Sequence, residues 1–122
     1  MPLVLLALML LGACSVELPE IGGDFDSAVW KQDDKACNGE RTAMLDDILA
    51  AKNDLVTLRE ADVRQLFGRP DNVELFSRSK KFYLYYVEKG GQCPDNAEGD
   101  PGKRLEMSLD ALGRLHELNI RQ

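Results

Sequence analysis

The chain holds three cysteines, Cys14, Cys37 and Cys93, and one histidine, His116. These side chains have the widest chemical range in the protein: nucleophile, disulfide partner, metal ligand, or proton shuttle near neutrality. Their spacing narrows that range. A structural zinc site wants four nitrogen or sulfur ligands, and no metal-binding spacing joins the two later cysteines to His116. The histidine has no serine or cysteine partner at a catalytic motif and reads as the surface residue of a strand. Asp46 and Asp47 are adjacent acids, which could suggest acid–base work, but they read as the solvated face of a helix. Asp95, Glu98 and Asp100 crowd one loop, yet their spacing departs from the D-x-[DN]-x-[DN]-G calcium pattern. The sequence has no glycine-rich phosphate loop and no GxSxG elbow. It leads us to expect no catalytic residue, no metal, no cofactor and no small-molecule substrate.

Cys14 stands apart. Leu3 to Leu11 is a continuous apolar run, too short at about 1.5 Å rise per residue to span a roughly 30 Å hydrocarbon core. Its length suits the apolar region of a secretory signal, although Met1-Pro2 lacks the cation with which such signals normally begin. The run ends in Leu11-Gly12-Ala13-Cys14, which resembles the lipobox of bacterial lipoproteins. The resemblance implies cleavage between Ala13 and Cys14 and lipidation of the Cys14 thiol. Several acyl chains would then anchor the protein, each buried methylene adding about 0.8 kcal/mol. Ser15, where retained lipoproteins carry Asp, implies the outer membrane and its periplasmic face. Ser15 to Asp24, with Pro19, Gly22 and Gly23, reads as a flexible tether. The expected organisation is a signal over 1–13, a tether over 14–24 and a domain over 25–122.

No charged residue precedes Glu17, so the formal charge of -6 belongs to the part after the apolar run. An acidic domain is a poor partner for nucleic acid and for anionic lipid. With Cys14 claimed by lipid, Cys37 and Cys93 form an even pair in an oxidising compartment. We expect a disulfide, the alternatives being two free thiols or a metal pair. Closing so long a loop contributes roughly 4 kcal/mol in the chain-entropy picture.

The elements that must position these residues follow from periodicity. In FDSAVWKQD, Phe25 and Trp30 either cap the core or, for Trp30, anchor a partner. Glu40 to Lys52 reads as a helix with Met44, Leu45, Ile48 and Leu49 in one stripe. Thr57-Leu58-Arg59-Glu60 has the form of a capping box. A short helix follows it, with Val63, Leu66 and Phe67 inward, stopped by Gly68 and Pro70. The period then changes to two. Strands are expected over Val73–Ser77, Lys80–Glu88, Lys103–Asp110 and Arg114–Ile120, with a long loop over Gly90–Gly102 and a turn at Ala111-Leu112-Gly113. In the strongest strand, Phe82, Leu84 and Tyr86 face one way and Tyr83, Tyr85 and Val87 the other.

The stretch ADVRQLFGRPDNV, then FYLYYVEKG, then RLEMSLDALGRLHELNI, resembles the BamE (SmpA/OmlA) family of small outer-membrane lipoproteins of the β-barrel assembly machinery. The matching positions are Val63, Leu66, Gly68 and Pro70, then Tyr83 and Tyr85, then Leu105, Met107, Leu109, Gly113 and Leu115. Cys37, Cys93 and the FDSAVWKQD segment have no counterpart in that pattern, which sets the chain beside the family as a sister group. The resemblance implies an α+β fold: two helices packed on one face of a three- to four-stranded antiparallel sheet, as in BamE and β-lactamase inhibitor proteins. It implies a lipid-anchored binding or scaffold module with an envelope protein as partner. Tyr83, Tyr85, Trp30 and Arg69 are the candidate partner surface. The alternative is an inhibitor of a hydrolase, acting through the loop Gly90–Gly102.

Overall fold

Asp26 starts the first helix of the described residues. Its carboxylate accepts hydrogen bonds from the Ala28 and Val29 amides at 3.0 and 3.2 Å, a cap that contributes about 1 kcal/mol. A computed structural model describes residues 17–122. The apolar run, the Leu11–Cys14 motif and Ser15 lie outside the described residues. Within them the helical segments are α1 (Ser27–Gln32), α2 (Leu45–Ala50), α3 (Lys52–Leu55) and α4 (Glu60–Phe67). The strands are β1 (Asn72–Leu75), β2 (Lys81–Tyr86), β3 (Arg104–Leu109) and β4 (Leu115–Arg121). They form one antiparallel sheet in the order β1-β2-β3-β4. The fold is α+β, and the helical segments pack on one sheet face.

Register decides which face that is. Tyr83 lies opposite Met107, Tyr85 opposite Leu105, and Met107 opposite Leu118. Because successive side chains alternate, these residues share a face. That face joins Trp30, Ile48, Leu55, Val63, Leu66 and Phe67 from the helices in one hydrophobic core. Trp30, Phe67 and Tyr85 pack their rings 5.6–6.1 Å apart, and Phe25 sits 5.5 Å from Phe67. Each such pair adds about 0.5–1.5 kcal/mol beyond simple burial.

Four expectations change. The described part of the expected tether is docked: Ile21 is buried and Leu18 packs against the core. The Asp24 amide donates to the Asp47 carboxylate at 2.8 Å. One isoleucine and one leucine were enough to bind a segment whose Pro and Gly content suggested freedom. Second, the capping box does not form. Thr57 has φ 82°, and its amide donates to Leu115 O at 2.7 Å. The Leu115 amide in turn donates to Leu58 O at 2.8 Å, and that of Glu60 to Gly113 O at 2.9 Å. The β3–β4 hairpin thus takes the backbone groups that a capping threonine would have served. Third, the helix expected over Glu40–Lys52 is a segmented run: a 3₁₀ turn over Thr42–Met44, then α2 and α3. Its start is displaced because Arg41 is drawn into the interior. Fourth, α1 was not expected, although Asp26-Ser27 is an N-cap signature.

The opposite sheet face carries Phe82, Leu84 and Tyr86. Arg121 crosses it, bonding Glu74 at 2.8 Å and Glu106 at 2.6 Å, with its guanidinium 5.9 Å from the Phe82 ring centre. Leu84 is nevertheless fully buried, shielded by Phe82 and Tyr86 along the strand and by Asn72 and Glu106 across it.

Candidate functional site: a cationic groove beside an open sheet edge

The expected partner surface splits. Trp30, Tyr83 and Tyr85 are each 0% exposed, so they are core and not contact surface. Their polar ends are satisfied internally. The Trp30 indole N–H donates to Phe67 O at 3.1 Å, and the Tyr85 hydroxyl donates to Gly68 O at 2.9 Å. Tyr83 donates its hydroxyl proton to the Glu60 carboxylate and accepts from Arg64 Nε at 3.0 Å. The tyrosine alternation was legible, but which set faces the helices depends on pairing with Leu105 and Met107. Arg69 is exposed.

The hydrogen bond from Tyr83 holds the Glu60 carboxyl below its usual range, helped by Lys81 at 3.1 Å and opposed by partial burial. Burial raises the Tyr83 hydroxyl, and its bond to Glu60 adds to the rise. Burial raises that of Tyr85 as well.

Cys37 and Cys93 are joined by a disulfide, with Cα atoms 5.6 Å apart and a sequence separation of 56. The bridge ties the 3₁₀ turn Asp34–Ala36 to the loop Gly90–Gly102. Gln92 reinforces it, donating through Nε2 to Glu88 O at 2.7 Å and to Lys35 O at 3.0 Å, while its Oε1 accepts from the Gly102 amide at 3.0 Å. A Cβ at Gly90 or Gly102 would overlap the facing backbone, which is why the two loop ends can touch. Asp95, Glu98 and Asp100 are exposed around the loop tip, and His116 is exposed on β4. No cluster of three or more potential metal ligands occurs among the described residues.

A broad concavity lies elsewhere. A groove of about 980 Å³ runs between the end of α1, the Asp34–Ala36 turn, the end of α4 and the start of β1. Its cations are Lys31, Lys35, Arg41, Arg64 and Arg69; its acids are Asp34 and Asp71. Arg41 is its floor. The Arg41 guanidinium bonds Asp71 at 2.7 Å, with both side chains at most 5% exposed. It also donates to Trp30 O at 2.9 Å and Tyr86 O at 3.2 Å, and lies 4.7 Å from the Trp30 ring centre. Lys31, Lys35, Arg64 and Arg69 are exposed, and among the described residues none has an acidic partner within 4.0 Å. The groove is therefore cationic on a chain whose net charge is -6.

Local structure holds these cations in place. Gly68 ends α4 with φ 74°, and a Cβ there would sit 3.0 Å from Lys31 Cγ; glycine lets the lysine stem cross the helix end. Arg64 is held by the Tyr83 hydroxyl and stacks 5.3 Å from that ring's centre. Lys35 stands on the turn that the disulfide anchors. Sequence reasoning singled out Arg69 alone of this set. The other cations are scattered over 31–64 with no motif, and only the packing of α1 and α4 brings them together. Comparison with protein-family models, with curated proteins and with solved structures returned no significant match.

Proposed function

We propose that this chain is a lipid-anchored binding module of the bacterial envelope, holding a protein partner at the periplasmic face of the outer membrane as a scaffold in barrel-protein assembly or envelope integrity. The observation that carries the binding role is the groove: four exposed cations without acidic partners, fixed to a rigid frame in an otherwise acidic protein. Such groups keep their charge available for a ligand, whereas paired surface charges do not. The disulfide supports the compartment, since such bonds persist in oxidising surroundings. The Leu11–Cys14 lipobox and the BamE-like pattern over 61–120 support the anchor and the scaffold role. Because Leu18 is docked on the core, extended chain from a lipidated Cys14 would reach at most roughly 14 Å, keeping the domain near the membrane.

The test is crosslinking in native membranes followed by affinity purification of the full-length chain, beside Cys14→Ala and Arg69→Glu forms. Metabolic labelling with palmitate should mark the parent and not the Cys14→Ala form. A defined envelope protein should co-purify with the parent and be lost with Arg69→Glu. An unlabelled chain in the soluble fraction would sink the anchored reading.

A second reading has its own support. The acidic tip Pro94–Asp100 is exposed and pinned by the disulfide and by Gln92, the preorganisation an inhibitory loop needs. Inhibition of a lysozyme-, protease- or lactamase-type hydrolase by the purified chain, lost in Asp95→Lys with Glu98→Lys, would favour it over the scaffold.

A further inference from the structure

The groove opens directly onto a sheet edge. Asn72 and Val73, the first residues of β1, form part of its lining, and β1 ends the strand order. The hydrogen bond from the Phe76 amide to Lys80 O at 2.8 Å sets the ladder phase. In an antiparallel pair the bonded residues alternate. Phe76, Glu74 and Asn72 therefore turn their backbone groups toward β2, while Val73 and Leu75 turn theirs outward. The Val73 amide is already taken by the Asn72 side chain at 2.9 Å. The Val73 carbonyl and the Leu75 amide and carbonyl remain as an open edge. The other edge is treated differently: Thr57 and Leu58 cover the start of β4 through Leu115. Apolar exposure is concentrated at the open edge. Val73, Leu75 and Phe76 are 40, 75 and 56% exposed, and the only other large exposed apolar residue among those described is Leu112, at a hairpin turn.

We infer that β1 accepts an extended acidic segment of another protein as an added strand, its carboxylates entering the groove to meet Lys31, Lys35, Arg64 and Arg69. Strand addition supplies main-chain hydrogen bonds, and alternate side chains supply specificity. A segment lying beside β1 projects every second side chain to the helix side, about 6.8 Å apart, into the groove. The groove's charge selects Asp and Glu at those positions. Val73 and Leu75, in register with Tyr83 and Lys81, flank those positions on the helix side, while the intervening side chains fall on the opposite face beside the exposed Phe76, which favours apolar residues there. The same charge opposes edge-to-edge pairing of two copies, because like groups would meet. This partner chemistry deepens the scaffold reading and rests on it for the biological setting.

Fluorescence anisotropy of the purified full-length chain with a labelled octapeptide of alternating valine and glutamate tests it. The peptide should bind saturably and more weakly as salt rises, and the valine–lysine counterpart should not bind. Leu75→Pro removes the outward amide without touching the β2 ladder, a position where edge strands tolerate proline. It should weaken binding about tenfold or more and leave the melting temperature unchanged. Lys35→Glu with Arg69→Glu should weaken binding similarly. If Leu75→Pro disturbs folding, two peptides tested on the parent chain replace it, one N-methylated at its glutamate nitrogens, which face β1 in antiparallel addition, and one at its valine nitrogens, which face it in parallel addition; one of the two should show the same loss. No binding, or binding indifferent to both backbone blocks, would overturn strand addition. A concentration-dependent dimer abolished by Leu75→Pro, without peptide binding, would assign the edge to a second copy and overturn it equally. Binding in solution needs no anchor, so failure here leaves the envelope reading standing, and an unlipidated chain leaves this one standing.

Discussion

Arg41 and Asp71 offer the sharpest test of how this fold is held. Replacing Arg41 by Met keeps most of the aliphatic volume and removes the guanidinium. It deletes bonds to Trp30 O and Tyr86 O at 2.9 and 3.2 Å and the stack on Trp30. It also leaves the Asp71 carboxylate, whose side chain is 5% exposed, with the Tyr86 amide at 2.9 Å as its remaining partner. Breaking a buried pair from one side costs about 3–5 kcal/mol, because the surviving charge is neither solvated nor paired. Removing both charges avoids that penalty, so Arg41→Met with Asp71→Leu should regain most of the loss. At about 4 °C per kcal/mol for a domain of this size, the single variant should melt some 12–20 °C lower. Urea denaturation of the parent, both singles and the double closes the cycle. The expected coupling between the two sites is about 2 kcal/mol or more. A loss under about 1 kcal/mol for Arg41→Met, or a double as unstable as the sum of the singles, would refute the reasoning. It would mean that water reaches Asp71 and the groove floor is not sealed.

Three further outcomes are expected. Cys37→Ala with Cys93→Ala should lower stability by about 4 kcal/mol, since the bridge joins residues at a sequence separation of 56; denaturant midpoints measure it, and a loss under about 1 kcal/mol would mean the denatured chain is little restrained by the bridge. Glu60 has its folded pKa depressed below the ordinary 4.5. Its contribution is therefore fully present above that pH and is lost as pH falls through the folded value. Glu60→Gln should flatten this part of the acid limb of a stability–pH curve, and an unchanged slope would contradict the role of the Tyr83 bond. Thr57, a β-branched residue at φ 82°, is strained, and Thr57→Gly should stabilise by about 1 kcal/mol in thermal melts; a net loss would show that the side chain makes a compensating contact.

The local elements were legible where one signal dominated. The alternation of FYLYYV, of RLEMSL and of the last strand specified strands, and their observed bounds lie within a few residues of those expected. Val63, Leu66 and Phe67 marked the buried face of α4, and Gly68 with Pro70 its end. An even cysteine pair was enough to expect the Cys37–Cys93 bond. Reading failed where tertiary contacts outbid local preference. Thr57 looked like a cap until a distant hairpin claimed its backbone. Arg41 fell at the start of the helix expected over Glu40–Lys52, with nothing to mark it as interior, yet it is the most enclosed cation in the groove. Ile21 looked like part of a tether, yet burying one isoleucine contributes roughly 1.5–3 kcal/mol, enough to dock a short segment.

Composition, periodicity and punctuation by themselves determined an acidic chain with helices followed by four strands, because these depend on side chains close in sequence; the α+β class came from the BamE resemblance, and the disulfide from the even cysteine pair left once the lipobox takes Cys14. The tertiary structure alone decided which tyrosine face is buried, because a strand's two faces are distinguished only by what its neighbours bring in register. It alone assembled the groove. Lys31, Lys35, Arg64 and Arg69 share no spacing that a sequence pattern could detect. Their proximity is set by the packing of α1 and α4 against a sheet whose first edge is left open.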